Sequence, residues 1–104
     1  MAWTYLFLAG ICEVGWAIGL KYSNGLSRPV AAAFTIVLML VSAGLLGLAL
    51  RTLPVGTAYA IWTGIGTVGT ALLGLYLFSE PATAVRLLGI GLVLAGVVTL
   101  KIIG

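Results

Sequence analysis

Residues 2–20 read AWTYLFLAGICEVGWAIGL, an apolar run whose only charged side chain is Glu13. An α-helix needs roughly 20 residues to cross about 30 Å of hydrocarbon. Three further apolar blocks of similar length follow, separated by short polar segments with prolines where helices start. The sequence therefore predicts an all-α integral membrane protein whose four transmembrane helices, antiparallel to their neighbours, cover about 2–20, 30–50, 55–78 and 84–101.

The composition of the whole chain is also that of a membrane protein. Of the 104 residues, 62% are hydrophobic and 7% are charged, whereas a soluble domain carries about a quarter charged residues. The first block has no basic segment before it and no convincing cleavage site, which favours a retained helix over a signal peptide. We expect residues 1–104 to form a single transmembrane domain, surrounded by lipid, in the inner (plasma) membrane.

The charged and sulfur-containing residues exclude several classes of function. The net charge is +3, but the basic residues are spread along the chain and form no patch for nucleic acid. Cys12 is alone, which removes an intrachain disulfide and a thiolate metal cluster, and histidine is absent. We expect no metal, no cofactor and no nucleic-acid partner. Any proton chemistry must therefore use carboxylates.

The basic residues in the connections give almost no preferred orientation in the membrane. Such residues normally decide which side a short loop occupies. Here the two sides nearly balance, which predicts insertion in both orientations and would permit a dimer of oppositely oriented copies. One side carries Arg51 and Lys101, and the other carries Lys21, Arg28 and Arg86.

Glu13 is the strongest candidate for a functional residue. It lies near the middle of the first predicted span, where a charge costs several kcal/mol. The chain offers no basic residue at membrane depth to pair with it. A carboxyl group without a fixed cation can exchange its proton for a cationic substrate, which is the minimum requirement for antiport. The structural alternative is a carboxyl group held by hydrogen bonds.

Aromatic and hydroxyl side chains provide candidate partners for this carboxyl group. Trp16 follows Glu13 by three positions on the same helix face and could line a cation site, although simple packing is an alternative. Tyr59 and Trp62 lie at helical spacing in the third block, and a tyrosine hydroxyl in hydrocarbon needs a partner such as Glu13. The Ser42 hydroxyl can bond to that carboxylate or to a backbone carbonyl, and the latter is favoured for Ser42 alone.

The chain contains 15 glycines, each of which weakens a helix unless it permits close packing or bending. Gly89, Gly91 and Gly96 lie on the last predicted helix, so we expect this helix to form the dimer contact. Gly64 and Gly66 are candidates for a hinge in the third helix, and ordinary packing explains them equally well.

Two stretches of the sequence resemble the small multidrug resistance exporters. They are GICEVGWAIGLKYSNG at residues 10–25 and LPVGTAYAIWTGIG at residues 53–66. The resemblance extends over the whole chain in length and helix count. The guanidinium-exporting subtype is the more similar of the two main subtypes, on the strength of Trp16, the KYSNG segment and Ser42. The drug-exporting subtype typically has a small residue at the position of Trp16.

The resemblance implies a dual-topology, antiparallel homodimer that works by alternating access. Both copies of Glu13 would face one central site, surrounded by the four other candidate residues named above. The helix segment at Gly64 and Gly66 would bend differently in the two copies, and exchanging these shapes would turn the site from one side to the other. The implied activity is proton-coupled export of guanidinium and related small organic cations, in which substrate and protons compete for Glu13.

Other functions remain open at this stage. The chain could export bulky quaternary ammonium or aromatic cations, as the drug-export subtype does. It could be a membrane accessory subunit that transports nothing, in which Glu13 pairs helices. A passive channel is disfavoured because four short helices with one central acid do not obviously line a pore. An enzyme is the least expected, because Ser42, Cys12 and Glu13 lack a base or metal partner.

Overall fold

A computed structural model describes residues 1–103, and these residues form four helices. All four are long and apolar enough to cross a membrane. The prediction of an all-helical fold with four candidate spans is therefore confirmed, while the assignment of the whole chain to one domain stays a prediction. The helices are α1 (Ala2–Tyr22), α2 (Pro29–Ala49), α3 (Val55–Leu77) and α4 (Ala84–Ile103).

Local sequence signals explain where these helices begin and end. Pro29 occupies the first position of α2, where its missing N–H would have no partner in any case. At the start of α4 the Thr83 hydroxyl accepts a hydrogen bond of 3.2 Å from the Arg86 N–H, as a helix cap does. After α1, Gly25 adopts a φ of +71° and its N–H donates to the Leu20 carbonyl at 3.1 Å. A glycine adopts this left-handed conformation without steric cost.

The contacts between helices establish their relative directions. Along α1, Ala9 contacts Ser42 while Gly19 lies against Thr35, so α1 and α2 are antiparallel. Gly10 lies against Ile65 and Val14 against Gly69, so α1 and α3 run in the same direction. These contacts give an up-down arrangement in which α1 packs against both α2 and α3.

Helix α4 is the least packed of the four. It packs along α3, where Val97 lies against Gly64, and Val97 is its one buried residue. At its end the Lys101 ammonium lies 4.3 Å from the centre of the Trp3 ring on α1. The described chain measures 39 × 35 × 16 Å, so it is a thin slab with little interior. Most of the surface of α4 is consequently available to lipid or to another protein.

The buried hydrophobic cluster lies at one end of this slab, which we call the packed end. Its members come from the first halves of α1 and α3 and the second halves of α2 and α4. Because α1 and α3 run opposite to α2 and α4, these halves meet at the same side of the membrane. The cluster comprises Leu6, Ala9, Leu46, Ala49, Ala58, Ile61 and Val97.

Candidate functional site

A cavity of about 600 Å³ lies between α1 and α3, on the side away from the packed end. It extends from Glu13, in the middle of α1, to Lys21 and Glu80 at the end of the slab, which we call the open end. The chain contains two acidic residues, and both line this cavity. Its wall is formed by Glu13, Trp16, Ala17, Ile18, Lys21, Gly66, Thr67, Thr70, Ala71, Gly74, Phe78 and Glu80.

Gly66 creates the space that the Glu13 side chain occupies. A Cβ atom at position 66 would overlap the Glu13 carboxyl group. The absence of a side chain on α3 at this point therefore lets the carboxyl group lie directly against the helix backbone. Gly64, the other predicted hinge residue, lies against Val97 in the same way. Both glycines thus have a packing role in α3, and their role as a hinge stays a prediction.

The Glu13 carboxyl group has no partner within residues 1–103. The ion pair in this part of the chain joins Arg86 and Glu80, and no side-chain hydrogen bond of the described residues involves Glu13. The residue is half-buried, and its carboxyl group faces the cavity. Its oxygens are therefore available to a proton or to a cation that enters from the open end.

Trp16 lies one turn after Glu13, toward the open end, and lines the same cavity. It is half-buried, so part of its indole ring is accessible from the cavity. The structure therefore brings Glu13 and Trp16 together, as the sequence predicts. An indole ring beside a carboxylate offers a cation both a π surface and a counter-charge.

Ser42, Trp62 and Tyr59 form a second group beside the packed end. The buried Ser42 hydroxyl donates to the Ala9 carbonyl at 2.7 Å and accepts from the Trp62 indole N–H at 3.0 Å. The Trp62 ring packs edge-on against Tyr59, with a distance of 5.4 Å between ring centres. The backbone partner that the sequence favours for Ser42 is thus the one observed.

This second group is connected to Glu13 through the backbone of α1. In a regular helix the Ala9 carbonyl also accepts the N–H of Glu13, so Ser42 is bonded to the turn that precedes the carboxyl group. Tyr59 is 56% exposed and makes no hydrogen bond to Glu13 within the described chain. A contact between Tyr59 and Glu13 would therefore need a second copy of the chain, and it stays a prediction.

The open end is lined by aromatic rings and charges. The Lys21 ammonium lies 5.5 Å from the centre of the Phe78 ring, which packs against Tyr22 at 5.3 Å. Glu80 accepts a hydrogen bond of 3.3 Å from Arg86, and both of these side chains are 42% exposed. The mouth of the cavity therefore carries both signs of charge.

Most of the residues that line the cavity along α3 carry no recognisable functional signal in the sequence. Gly66, Thr70 and Gly74 share one helix face because they are four residues apart, and Thr67 lies three residues before Thr70. The sequence contains that spacing, and it could have placed these residues beside Glu13 once α3 was known to pack against α1. Gly66 permits that close approach, but its position in the sequence does not distinguish this role from a hinge.

The predicted dimer face on α4 has no neighbour within the described chain. Apart from the backbone of α4 itself and the adjacent residues, no atom of residues 1–103 lies within 4 Å of the position that a Cβ would occupy at Gly89, Gly91 or Gly96. These glycines therefore have no packing role inside a single copy, unlike Gly64 and Gly66.

Similarity to known proteins indicates the family to which this chain belongs. The model of the family described as "Small Multidrug Resistance protein" matches residues 1–93. The chain belongs to the small multidrug resistance family. The family predicted from the sequence motifs is thereby confirmed, and with four apolar helices this membership indicates a multi-pass membrane protein.

Similar members of the small multidrug resistance family include proteins from several bacteria. A protein of Yersinia pseudotuberculosis serotype I named "Guanidinium exporter" is 55% identical over 102 residues, covering 98% of each chain. Proteins of Citrobacter freundii and Salmonella typhimurium with the same name are 53% identical over 102 residues, covering 98% of this chain and 97% of theirs. These names describe transporters and not enzymes.

Proposed function

We propose that this protein is a proton-coupled antiporter that exports guanidinium and related small organic cations across the inner membrane. The observation that carries the proposal is a carboxyl group at membrane depth, Glu13, which faces a cavity and has no cation partner among residues 1–103. The similarity to proteins named guanidinium exporters supports the choice of substrate.

Competition between guanidinium and protons for Glu13 couples the export of the cation to the entry of protons. Guanidinium is planar, and it pairs with a carboxylate through two parallel N–H···O hydrogen bonds. It can do so only when the carboxyl group has released its proton. On the cytoplasmic side, guanidinium binds as protons leave, and on the outer side protons return to Glu13 and displace the cation. Each cation that leaves the cell is thus exchanged for protons that enter.

Trp16 and the second group of residues have distinct parts in this mechanism. Trp16 lines the cavity next to the carboxyl group, where its ring stabilises a bound cation by cation–π attraction. Ser42 and Trp62 are bonded to each other and to the α1 backbone one turn before Glu13, which fixes the position of the carboxyl group. In this proposal Tyr59, exposed in one copy, completes the site from a neighbouring copy.

We further propose that the working unit is an antiparallel homodimer of oppositely oriented copies. The nearly equal numbers of basic residues on the two sides support insertion in both orientations. The open space around Gly89, Gly91 and Gly96 supports a contact between α4 helices, because small residues let helix backbones approach closely in lipid. Bending of α3 at Gly64 and Gly66 would exchange the packed and open ends.

Transport by purified protein in liposomes tests the proposed function directly. With an imposed proton gradient, we expect guanidinium to accumulate on the acidic side, and we expect no accumulation when the gradient is collapsed. Protein-free liposomes are the control. A preference for a bulky quaternary ammonium ion or an aromatic cation would reassign the protein to the drug-export subtype. No transport of any of the three cations would favour an accessory subunit.

The orientation of the copies has its own test. Two reporters, fused in turn to the C-terminus and each active on only one, opposite side of the membrane, should both give a signal, in roughly equal amounts, if the dimer is antiparallel. A single orientation would contradict the proposed homodimer without affecting the assignment of Glu13.

A further inference from the structure

Two threonines in the cavity wall, Thr67 and Thr70, differ from Thr35 and Thr99, which also lie inside helices. The hydroxyls of Thr35 and Thr99 donate to the carbonyls of Ala31 and Ala95 at 2.8 and 2.7 Å. This bond to the preceding turn is the usual way for a helix to satisfy a threonine hydroxyl in an apolar environment. The hydroxyls of Thr67 and Thr70 make no such bond, and no other hydrogen bond within residues 1–103.

These two threonines lie next to the proposed substrate-binding carboxyl group. Both line the cavity that Glu13 lines, and Gly66, which contacts the carboxyl group, immediately precedes Thr67. Thr70 lies one turn further along α3, about 6 Å from Gly66 along the helix axis at the rise of an α-helix. A small cation bound to Glu13 is therefore within reach of both positions. Within the described residues, Thr4, Thr57 and Thr63 also lack a side-chain hydrogen bond, but none of them lines the cavity.

The hydroxyls of Thr67 and Thr70 can bond to a molecule in the cavity. Thr67 is exposed and Thr70 is half-buried, and both line the cavity. Each threonine can donate its proton to the carbonyl one turn before it, and its oxygen is then an acceptor that points toward the cavity. Guanidinium has N–H donors on every nitrogen, and a carboxylate can accept only the pair that faces it. The remaining donors need acceptors on the opposite side.

We propose that Thr67 and Thr70 are specificity-determining residues that accept N–H hydrogen bonds from a guanidinium ion held by Glu13. The inference rests on the proposed function and adds the acceptors that complete the coordination of the cation. A cation without these N–H groups gains nothing from the two hydroxyls. A site that hydrogen-bonds its substrate in this way discriminates against analogues that lack the donors.

Paired substitutions that separate the hydroxyl from the shape of the side chain test this proposal. Valine has nearly the same shape as threonine and no hydroxyl, whereas serine keeps the hydroxyl and loses the methyl group. For the double variant Thr67→Val/Thr70→Val we expect guanidinium binding to be about thirtyfold weaker, which corresponds to about 1 kcal/mol for each of the two lost hydrogen bonds. For Thr67→Ser/Thr70→Ser we expect binding within about twofold of the wild type. Thr99→Val, outside the cavity, is the control for the substitution itself.

A second cation distinguishes lost hydrogen bonds from a damaged site. N,N-dimethylguanidinium keeps a parallel N–H pair for the carboxylate but has methyl groups on its third nitrogen. The wild-type preference for guanidinium over this cation should shrink in the valine variant and persist in the serine variant. The proposal is overturned if the valine variant binds guanidinium like the wild type. It is equally overturned if the serine variant loses as much affinity.

The failure of this inference is distinguishable from failure of the proposed function. If wild-type protein neither binds nor transports guanidinium, the proposed function falls and this inference falls with it. If the wild type binds guanidinium and the valine variant is unaffected, only the roles of Thr67 and Thr70 are wrong. Thermal unfolding of each variant identifies a general loss of structure, which would count against a role in specificity.

Discussion

The two ends of the slab are built from the same helices but differ in what fills the space between α1 and α3. At the packed end, Leu6 and Ile61 are fully buried and the cluster around them closes the gap. At the open end, small residues of α3 such as Gly66 and Gly74 face α1 across a cavity of about 600 Å³. The difference is one of side-chain volume, because α3 is a continuous helix through both ends.

This contrast explains how one chain can give Glu13 access to one side of the membrane. The carboxyl group lies where the packed end stops and the cavity begins, so its route to water runs toward Lys21 and Glu80. Under the proposed function, transport requires the two ends to exchange, with the packed end opening as the open end closes. Substitutions at the boundary, at the packed end and at the open end should therefore have different effects.

The largest effect is expected at the boundary, for Glu13→Gln. Glutamine keeps the size of the side chain but can neither ionise nor pair with a cation. We expect coupled guanidinium transport to fall to the background of protein-free liposomes, a loss of at least about a hundredfold, because the charged partner of the cation is gone. The unfolding temperature in detergent should stay near that of the wild type, since Glu13 has no hydrogen-bond or ion-pair partner to lose within residues 1–103.

The pH dependence of binding sharpens this prediction. In the wild type, a lower pH should weaken guanidinium binding, because protons occupy the carboxyl group that the cation needs. At sufficiently acidic pH, the dissociation constant for guanidinium should rise about tenfold for each unit by which the pH falls, for each proton that competes. Residual binding to Glu13→Gln should be independent of pH. Robust proton-driven transport by that variant would contradict the competition mechanism.

Much of the fold could be predicted from the sequence, for physical reasons that apply within single helices. The length and polarity of each apolar block determine the four spans, and Pro29 and Gly25 mark helix boundaries through local backbone constraints. Glu13 and Trp16 share a face by helical spacing alone, so their proximity follows once α1 is a helix. Two helices extend two residues beyond the prediction: α1 continues through Lys21 to Tyr22, and α4 continues past Lys101 to Ile103.

The cavity could not be predicted, because it depends on how two helices pack against each other. Gly66 contacts Glu13 only because α1 and α3 run in the same direction at a particular register. A row of glycines on α3 is compatible with a hinge, with packing or with a cavity wall, and the sequence does not choose among them. Likewise, Glu80 lines the cavity through the path of the α3–α4 connection, which no periodic pattern specifies.

The second-largest effect is expected at the packed end, for Ile61→Ala. Ile61 is fully buried among side chains from the other helices, and truncating it leaves a void. We expect a loss of about 2–4 kcal/mol in the free energy of unfolding, measured by denaturation in detergent. Ile102→Ala, at a residue that is 78% exposed, is the matched control and should change stability little. Equal losses of unfolding free energy for both variants would mean that the side chains of the packed end are not closely packed in detergent.

A smaller effect is expected for Gly66→Ala, which alters the boundary from the side of α3. The added methyl group would overlap the Glu13 carboxyl group, so either the side chain or the helix must move. Because the carboxyl group is displaced, we expect guanidinium affinity to fall about tenfold, which corresponds to a loss of about 1.4 kcal/mol in binding free energy. Gly47→Ala, at a position on α2 where an added Cβ has no neighbour within residues 1–103, serves as the comparison for binding. Wild-type affinity in Gly66→Ala would show that the carboxyl group does not need this space.

The smallest effect is expected at the open end, for Glu80→Gln. Glu80 shares the cavity with Glu13 but is exposed and paired with Arg86 at 3.3 Å, and such surface pairs contribute about 0–1 kcal/mol. Removing its charge leaves Arg86 unpaired at the mouth, which should repel an approaching cation. We expect the apparent KM for guanidinium to rise about twofold to threefold at low ionic strength and to recover at high salt.

A second substitution separates this electrostatic effect from a direct role of Glu80 in binding. The double variant Glu80→Gln/Arg86→Gln removes both charges at the mouth and should restore the wild-type KM. A loss of transport as complete as that of Glu13→Gln, or one that Arg86→Gln does not reverse, would make Glu80 a binding residue in its own right. The difference between the two carboxyl groups would then lie in their depth in the cavity and not in whether a cation is already paired with them.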